Sequence, residues 1–445
     1  MWLFQRAARD LRKVNWSRCT SSTRLEEHKV FRKLVSLDEA KRILEQNFSP
    51  KPVGVERVSL SKAHNRVLAE DILSPTDVPP FSRSTVDGYA VRAADTFGAD
   101  EDRPVALKLC GSIRVGEAPG VTVKKNATAE IVTGAPLPRG ADAVVMLEYV
   151  DHKGDTVLMH RAVSRGENVM EAGSDIHEGA VALKRGQTLS SREVGVLAAL
   201  GLTKVGAYKK PRVAVISTGA EIVEPGKPLT PGKIYDINAH ALSAAVTECG
   251  GEPVSCGIVP DEKGRLKATL REALDSADVI VSSGGVSVGP TDVVPKVLNE
   301  LGEPGVIVCG IAVKPGKPTT IAIVNGKPVF SLPGHPTSSL LMFHLLVRPL
   351  IISMAGGQEE TPVTVKAVAS AKMFPARGRR TFVMVSLARD KSGRLLASPV
   401  ALGLSGAITT LAGADGFVEV EESRQFIKDG EEVTVRLFKP VSVIS

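Results

Sequence analysis

Three glycine- and hydroxyl-rich runs in this 445-residue chain each follow a short apolar stretch: STGAE (217–221) after VAVI, SSGGVSVG (282–289) after ADVIV, and LPGHPTSS (332–339) after KPVF. Glycine allows tight turns and close backbone approach, and hydroxyls hydrogen-bond to oxyanions, so loops of this kind suit phosphate. None has Walker A spacing, and GGVSVG is not the dinucleotide pattern G-x-G-x-x-G. Beside them, AVKPGKPTTI (312–321) carries Lys314 and Lys317 on a turn stiffened by Pro315 and Pro318. Restricting that backbone leaves the two ammonium groups less entropy to lose on meeting an anion. Glu221 closes STGAE, Asp261 closes GIVPD and Asp292 closes SGGVSVGPTD. A helix cap is the plain alternative for Asp261 and Asp292. Carboxylates among phosphate loops make physical sense where a hard divalent cation bridges them, and Mg²⁺ is typically held by one or two carboxylates plus substrate phosphates.

The elements around these residues predict where they sit. PRVAVIS, ADVIVSS and KPVFSLP are short, β-branched and apolar on both faces, as buried parallel strands are. Leu242, Ala245, Val246 and Cys249 repeat at helical spacing between them, as do Leu266, Leu270 and Leu274. Alternating strands and helices predict a three-layer α/β domain over 209–357, whose loops leave the sheet at the carboxyl edge, where such folds bind ligands. The fold class is therefore α/β plus β, in several domains. Residues 34–74 and 171–208 read as two parts of a first domain, with Ser36 capping a helix over 36–47. Residues 75–170 read as an inserted β-rich domain and 358–445 as a C-terminal β domain.

Composition narrows the function classes. Charged residues at 24% and apolar ones at 43% are ordinary for globular protein. The net charge of +7 is a local feature, because residues 1–33 hold nine Lys/Arg against three acids and the remainder carries only +1. That placement argues against nucleic acid as a partner. The basic tail fits a presequence, an extension from an upstream start, or a loosely attached helix, and it lacks the apolar core of a secretory signal. Five cysteines without C-x-x-C suggest neither a disulfide framework nor zinc, and reduced thiols place the protein in the cytoplasm. LLMFHLLVRPLIISMAGG, the most apolar segment, is interrupted by His344, Arg348 and Pro349, which predicts a buried or amphipathic helix and no membrane span.

TVDGYAVR (85–92), IVTGAPLPRGADAVVMLE (131–148), STGAEI, IYDINAHAL, SSGGVSVGPTD, KPGKP and LPGHPTSS, taken in this order, resemble the molybdopterin molybdotransferase family, which includes the MoeA proteins and the gephyrin E domain. The likeness covers about residues 34–445. It implies insertion of molybdate into adenylylated molybdopterin with release of AMP, dependence on Mg²⁺, and a homodimer whose active site lies at the subunit interface. It also implies contact with the adenylyltransferase and with molybdoenzyme acceptors.

Carried over by residue, the resemblance assigns the pterin-side phosphate to the SGGVSVG backbone, with Ser283, Gly284, Gly285 and Ser287, and places Pro333 and Pro336 in the neighbouring substrate loop. Glu221, Asp261 and Asp292 become the active-site acids and metal ligands. Lys314, Lys317 and Ser338 would meet molybdate, a tetrahedral dianion suited to ammonium and hydroxyl donors. Ser405 and either Arg379 or Arg380 would add oxyanion contacts from the C-terminal domain. Asp87, Thr133 and Asp175 would act from the partner subunit, although Asp87–Gly88 is also a turn signal. Two positions depart from the family pattern: Ala220 stands where an acid is frequent, and His335 where Asn is common. The rival readings are a tungstate-inserting enzyme, a molybdopterin adenylyltransferase and a non-enzymatic scaffold.

Overall fold

The computed structural model describes residues 34–285, 293–358, 362–400 and 407–438. Its centre is a six-stranded sheet built from β1 (Arg212–Thr218), β2 (Glu252–Val259), β3 (Val279–Ser283), β4 (Pro304–Cys309), β5 (Thr320–Val324) and β6 (Lys327–Leu332), in the spatial order β2-β1-β3-β6-β5-β4. The strands foreseen as buried and parallel are so: β1 pairs parallel with β2 and β3, and β3 with β6. The sheet is nonetheless mixed, since β5 runs antiparallel to both neighbours. Asn325 and Gly326 form the two-residue β5–β6 turn with φ of 51° and 79°, the positive pair that a tight hairpin demands.

Side chains alternate across the sheet because the strand period is two. Val213 and Val215 of β1 face one core, and Ala214 and Ile216 face the other. The first core is covered by α1 (Asn238–Glu248) and by a long helical stretch, α4 (Pro336–Met342) with its continuation to Met354. The second is covered by α2 (Lys263–Ser276) and α3 (Val293–Leu301). These are the three layers expected. The interruption expected at Pro349 takes the form of a π-helical turn, Phe343–Val347, inside a helix that continues. Pro349 has no N–H to give its own helix, and widening the preceding turn absorbs the loss without a break. The stretch Pro336–Met354 is apolar and long enough to span a bilayer, but most of it is buried inside the fold as core.

Around this domain the chain builds three further bodies. Val55–Ser59 pairs with Lys204–Tyr208, and Ile72–Leu73 with Val181–Leu183, so the two parts of the first domain share one core. A six-stranded sheet with a core on each face lies within 88–159 as an insertion into it. The helix Leu37–Asn47 behaves differently from the rest of 34–74: Leu37, Ala40 and Leu44 pack into the α/β core. In the C-terminal domain, Arg380–Arg389 pairs with both Leu395–Pro399 and Gly416–Val420, which curls the sheet into a barrel-like closure. Val313 and Lys314 add to that sheet beside Arg380 and Thr381, tying the lysine turn to the C-terminal domain.

Candidate active site

The strand ends converge as the carboxyl-edge rule requires. Thr218 and Gly219 after β1, Asp261 after β2, Ser283 to Gly285 after β3, and Pro333 to Pro336 after β6 line one pocket of about 980 Å³. Its floor is backbone packed so closely that two glycines are obligatory. A Cβ on Gly284 would stand 2.1 Å from the Thr218 carbonyl oxygen, and one on Gly285 would stand 2.7 Å from Thr218 Oγ1 and 3.4 Å from Asp261 Oδ1. Both glycines also hold positive φ, 91° and 64°, which side chains resist. Thr218 is buried and is therefore the hub that sequence reading missed.

Ser283 lines the same pocket, and its side chain is tied inward. Its hydroxyl accepts a hydrogen bond from Asn238 Nδ2 at 2.6 Å and reaches the Pro333 carbonyl at 3.4 Å, inside the fold. It straps the β3 and β6 loops together, so the side chain positions the loop whose backbone is the phosphate-binding candidate. Asn238 also donates to the Gly334 carbonyl at 2.7 Å, and Asp236 accepts from Ala239 N at the start of α1. These two polar residues, only 7% and 4% exposed, lay unmarked in IYDINAHAL. The signal available in the sequence was an Asp and an Asn just before a helical apolar spacing, residue types that favour helix starts.

Asp261 is not a cap. The helix that follows begins after Glu262, whose side chain makes no capping bond. Asp261 lies near Glu221, and its carboxyl is held above the usual carboxylate range, first by burial and then by the Glu221 charge, against a lowering hydrogen bond from Thr218. A Cβ on Gly219 would collide with the Glu221 carboxylate at 2.7 Å, so glycine makes the room that brings this acid to the pocket. Two like charges at one rim suit a hard cation. No group of three metal-binding side chains occurs among the described residues; Asp292 and Ser287 lie outside them.

A second pocket of about 380 Å³ adjoins the first, and Pro318, Pro333 and His335 line both. Here the structure gathers Lys314, Lys317, Ser338 and Arg379, the residues read as oxyanion donors, and adds Lys372 and Phe374 from the C-terminal domain. The lysine turn is seated by Gly316, where a Cβ would meet Met342 Sδ at 2.4 Å, and by Thr319 Oγ1 donating to the Gly316 carbonyl at 2.7 Å. The choice between the two arginines is resolved. Arg380 points away, binding both oxygens of Asp38 at 3.1 and 2.8 Å, Glu419 at 3.2 Å and Glu422 at 3.3 Å. Its guanidinium holds the Asp38 carboxyl below the usual range, and the arginine itself is held above its own. Three carboxylates consume its charge, so Arg380 is a structural clamp and not an oxyanion contact. Arg379 has no carboxylate within ion-pair distance among the described residues. Ser405 lies outside them.

The remaining candidates lie elsewhere. Asp87 Oδ1 accepts from Thr133 N at 2.7 Å and from Thr133 Oγ1 at 3.0 Å, which lowers the exposed carboxyl's pKa. Asp87 lies in the bend between the strands Arg83–Ser84 and Gly88–Val91, as the turn signal allows, and Gly88 opens the second of them, where a Cβ would lie 2.0 Å from the Val145 carbonyl oxygen. Asp87, Thr133 and Asp175 line neither of the two pockets of their own chain.

Comparison with known proteins agrees with this architecture along nearly its whole length. Residues 35–201 match the family described as MoeA N-terminal region (domain I and II), 214–353 the probable molybdopterin binding domain, and 366–438 the MoeA C-terminal region (domain IV). Molybdopterin molybdenumtransferase 2 of Mycobacterium tuberculosis is 34% identical over 382 residues, covering 85% of this chain and 94% of the relative. The molybdopterin molybdenumtransferase of Bacillus subtilis is 34% identical over 388 residues, covering 86% and 90%. A crystal structure of the molybdopterin biosynthesis MoeA protein from Pyrococcus horikoshii superposes with a TM-score of 0.79 at 46% identity, over 92% of this chain and 100% of that one. With its domain order, its glycine-floored pocket and these likenesses all in agreement, the chain belongs to the MoeA family.

Proposed function

We propose that this chain is a molybdopterin molybdotransferase that inserts molybdate into adenylylated molybdopterin and releases AMP, in molybdenum cofactor biosynthesis. The observation that carries the reading is the junction of the two pockets: a glycine floor with acids on one side of Pro333 and His335, and cationic and hydroxyl donors on the other. A phosphoanhydride and a tetrahedral dianion are the two charged groups the reaction must bring together, and each pocket suits one of them.

Glu221 and Asp261, with Asp292, would hold Mg²⁺; the donor set is hard oxygen, and Glu221 and Asp261 line the same pocket. When bound, the ion neutralises charge on the phosphoanhydride. Lys314, Lys317, Ser338 and Arg379 bind and orient molybdate while the substrate's two dithiolene thiols replace an oxygen of it, which leaves with their protons as water, and a water molecule cleaves the phosphoanhydride to release AMP. Positioning and charge stabilisation supply the catalysis, and no nucleophilic side chain is used. Asp87, Thr133 and Asp175, which miss their own chain's pockets, would complete the partner subunit's site in a homodimer. The enzyme would work in the cytoplasm, receiving substrate from an adenylyltransferase and passing product to molybdoenzymes.

Purified protein incubated with adenylylated molybdopterin and Mg²⁺ should release AMP only when molybdate is added. AMP release indifferent to molybdate overturns the assignment, as does formation of adenylylated molybdopterin from molybdopterin and ATP.

A further inference from the structure

Phe374 is 67% exposed, and it lines the cationic pocket but not the acidic one. Its placement is fixed. The preceding Met373 is 2% exposed, packs in the C-terminal core, and exchanges backbone hydrogen bonds with Ile427 at 3.1 and 3.0 Å. In extended backbone the flanking residues i and i+2 share a face, so burying Met373 turns Lys372 and Phe374 outward together. The Phe426 ring lies 6.3 Å from that of Phe374, with Lys372 Nζ 6.0 Å from its centroid on the same lip. The result is a braced aromatic platform at the pocket's C-terminal edge.

From this we infer that Phe374 is a substrate-binding residue on which the pterin ring of adenylylated molybdopterin stacks, an inference that rests on the function proposed above. The order of groups in that substrate decides which ring it is. The dithiolene lies between the pterin system and the phosphate, and adenosine lies beyond the phosphate. With the anhydride over Gly284 and Gly285 and the dithiolene against molybdate at the lysines, adenosine extends from the acidic pocket. The pterin must then extend the other way, across the lip that holds Phe374. Stacking on an aromatic side chain suits any planar heterocycle, and its loss weakens binding by about tenfold or somewhat more.

The test is equilibrium titration of the full chain with adenylylated molybdopterin, without molybdate, followed by quenching of pterin fluorescence, alongside titration with AMP. Phe374→Ala should bind adenylylated molybdopterin about tenfold more weakly, Phe374→Tyr should restore the affinity and the quenching, and AMP should bind all three proteins equally. Equal affinity of wild type and Phe374→Ala for adenylylated molybdopterin overturns the inference while leaving the function intact. So does a parallel loss of AMP binding, which would put adenine on the ring. A changed sedimentation coefficient for Phe374→Ala also overturns it, assigning the ring to a subunit contact. If the wild type fails to bind adenylylated molybdopterin at all, the proposed function falls and the inference falls with it.

Discussion

The two adjoining pockets share Pro318, Pro333 and His335 yet are made in opposite ways. The acidic one is a product of strand ends: its floor is the backbone of Thr218, Gly284 and Gly285, and its acids follow β1 and β2 directly. The cationic one is assembled across a domain seam, with a lysine turn from the α/β domain facing Lys372, Phe374 and Arg379 from the C-terminal domain. Pocket-forming backbone cannot be altered without disturbing the sheet, whereas side chains reaching over a seam can be removed singly. Substitutions in the two pockets should therefore fail in different ways.

The largest effect is expected at the acidic rim. Asp261→Asn keeps the shape and removes the charge, and should lower the rate of molybdate-dependent AMP release by about 10²–10³-fold with unchanged thermal stability. Its melting temperature and turnover, measured together, would show that the Asp261 side chain belongs with the structural floor and not with the rim chemistry if stability fell in step with activity. In the cationic pocket, Lys314→Gln and Lys317→Gln each lose one ammonium on the oxyanion. Each should raise the KM for molybdate by about 10–100-fold, the scale of one charge-assisted contact, and leave the affinity for adenylylated molybdopterin nearly unchanged. A loss of affinity for the organic substrate instead would mean that the lysines hold that substrate and not molybdate.

Adjacent arginines sharpen the contrast. Arg380→Ala strips three carboxylates of their shared partner at a side chain only 17% exposed, and should cost about 1–3 kcal/mol of stability by urea denaturation. Arg379→Ala should cost little stability and act on molybdate binding. If Arg379→Ala proved the more destabilising of the two, the clamp assigned to Arg380 would be wrong.

What was legible in the sequence divides along the same line. The strands β1, β3 and β6 and their loops could be read because β-branched runs ending in glycine have few other uses, and the helix caps followed from Ser36 and the apolar spacing. The acidic pocket was nearly complete on that basis, short of Thr218 and the Asp236–Asn238 strap, whose roles depend on which buried groups come to face each other. The cationic pocket was harder. Lys314 and Lys317 announce themselves through flanking prolines, but Lys372 and Phe374 carry no motif; only the burial of Met373 turns them toward the seam. Arg379 and Arg380 are indistinguishable in sequence, since the carboxylates that claim one of them come from residues 38, 419 and 422.

The helical wall behind both pockets supplies the last and smallest test. Its N-terminal turn gives Pro336 to the acidic pocket and Thr337 and Ser338 to the cationic one, and two turns on stands His344 in the π-helical segment. The rings of Phe343 and Phe438 lie 6.1 and 5.6 Å from it. Burial, with the charges of Arg348 and Arg436, lowers its pKa to about 4. In the unfolded chain the imidazole protonates near pH 6.5, so between about pH 6.5 and 4 the unfolded state binds the extra proton and the folded state does not. Stability must fall as pH falls through that window, by about 2–3 kcal/mol, and this contribution ceases to grow below about pH 4. His344→Phe keeps the aromatic contacts and removes the proton site, so its urea midpoint should fall less than that of the wild type between pH 7 and pH 4.5. Equal losses in the two proteins would show that His344 contributes nothing to acid sensitivity. Acid inactivation retained in His344→Phe while the urea midpoint holds would instead place the sensitivity in the pockets themselves.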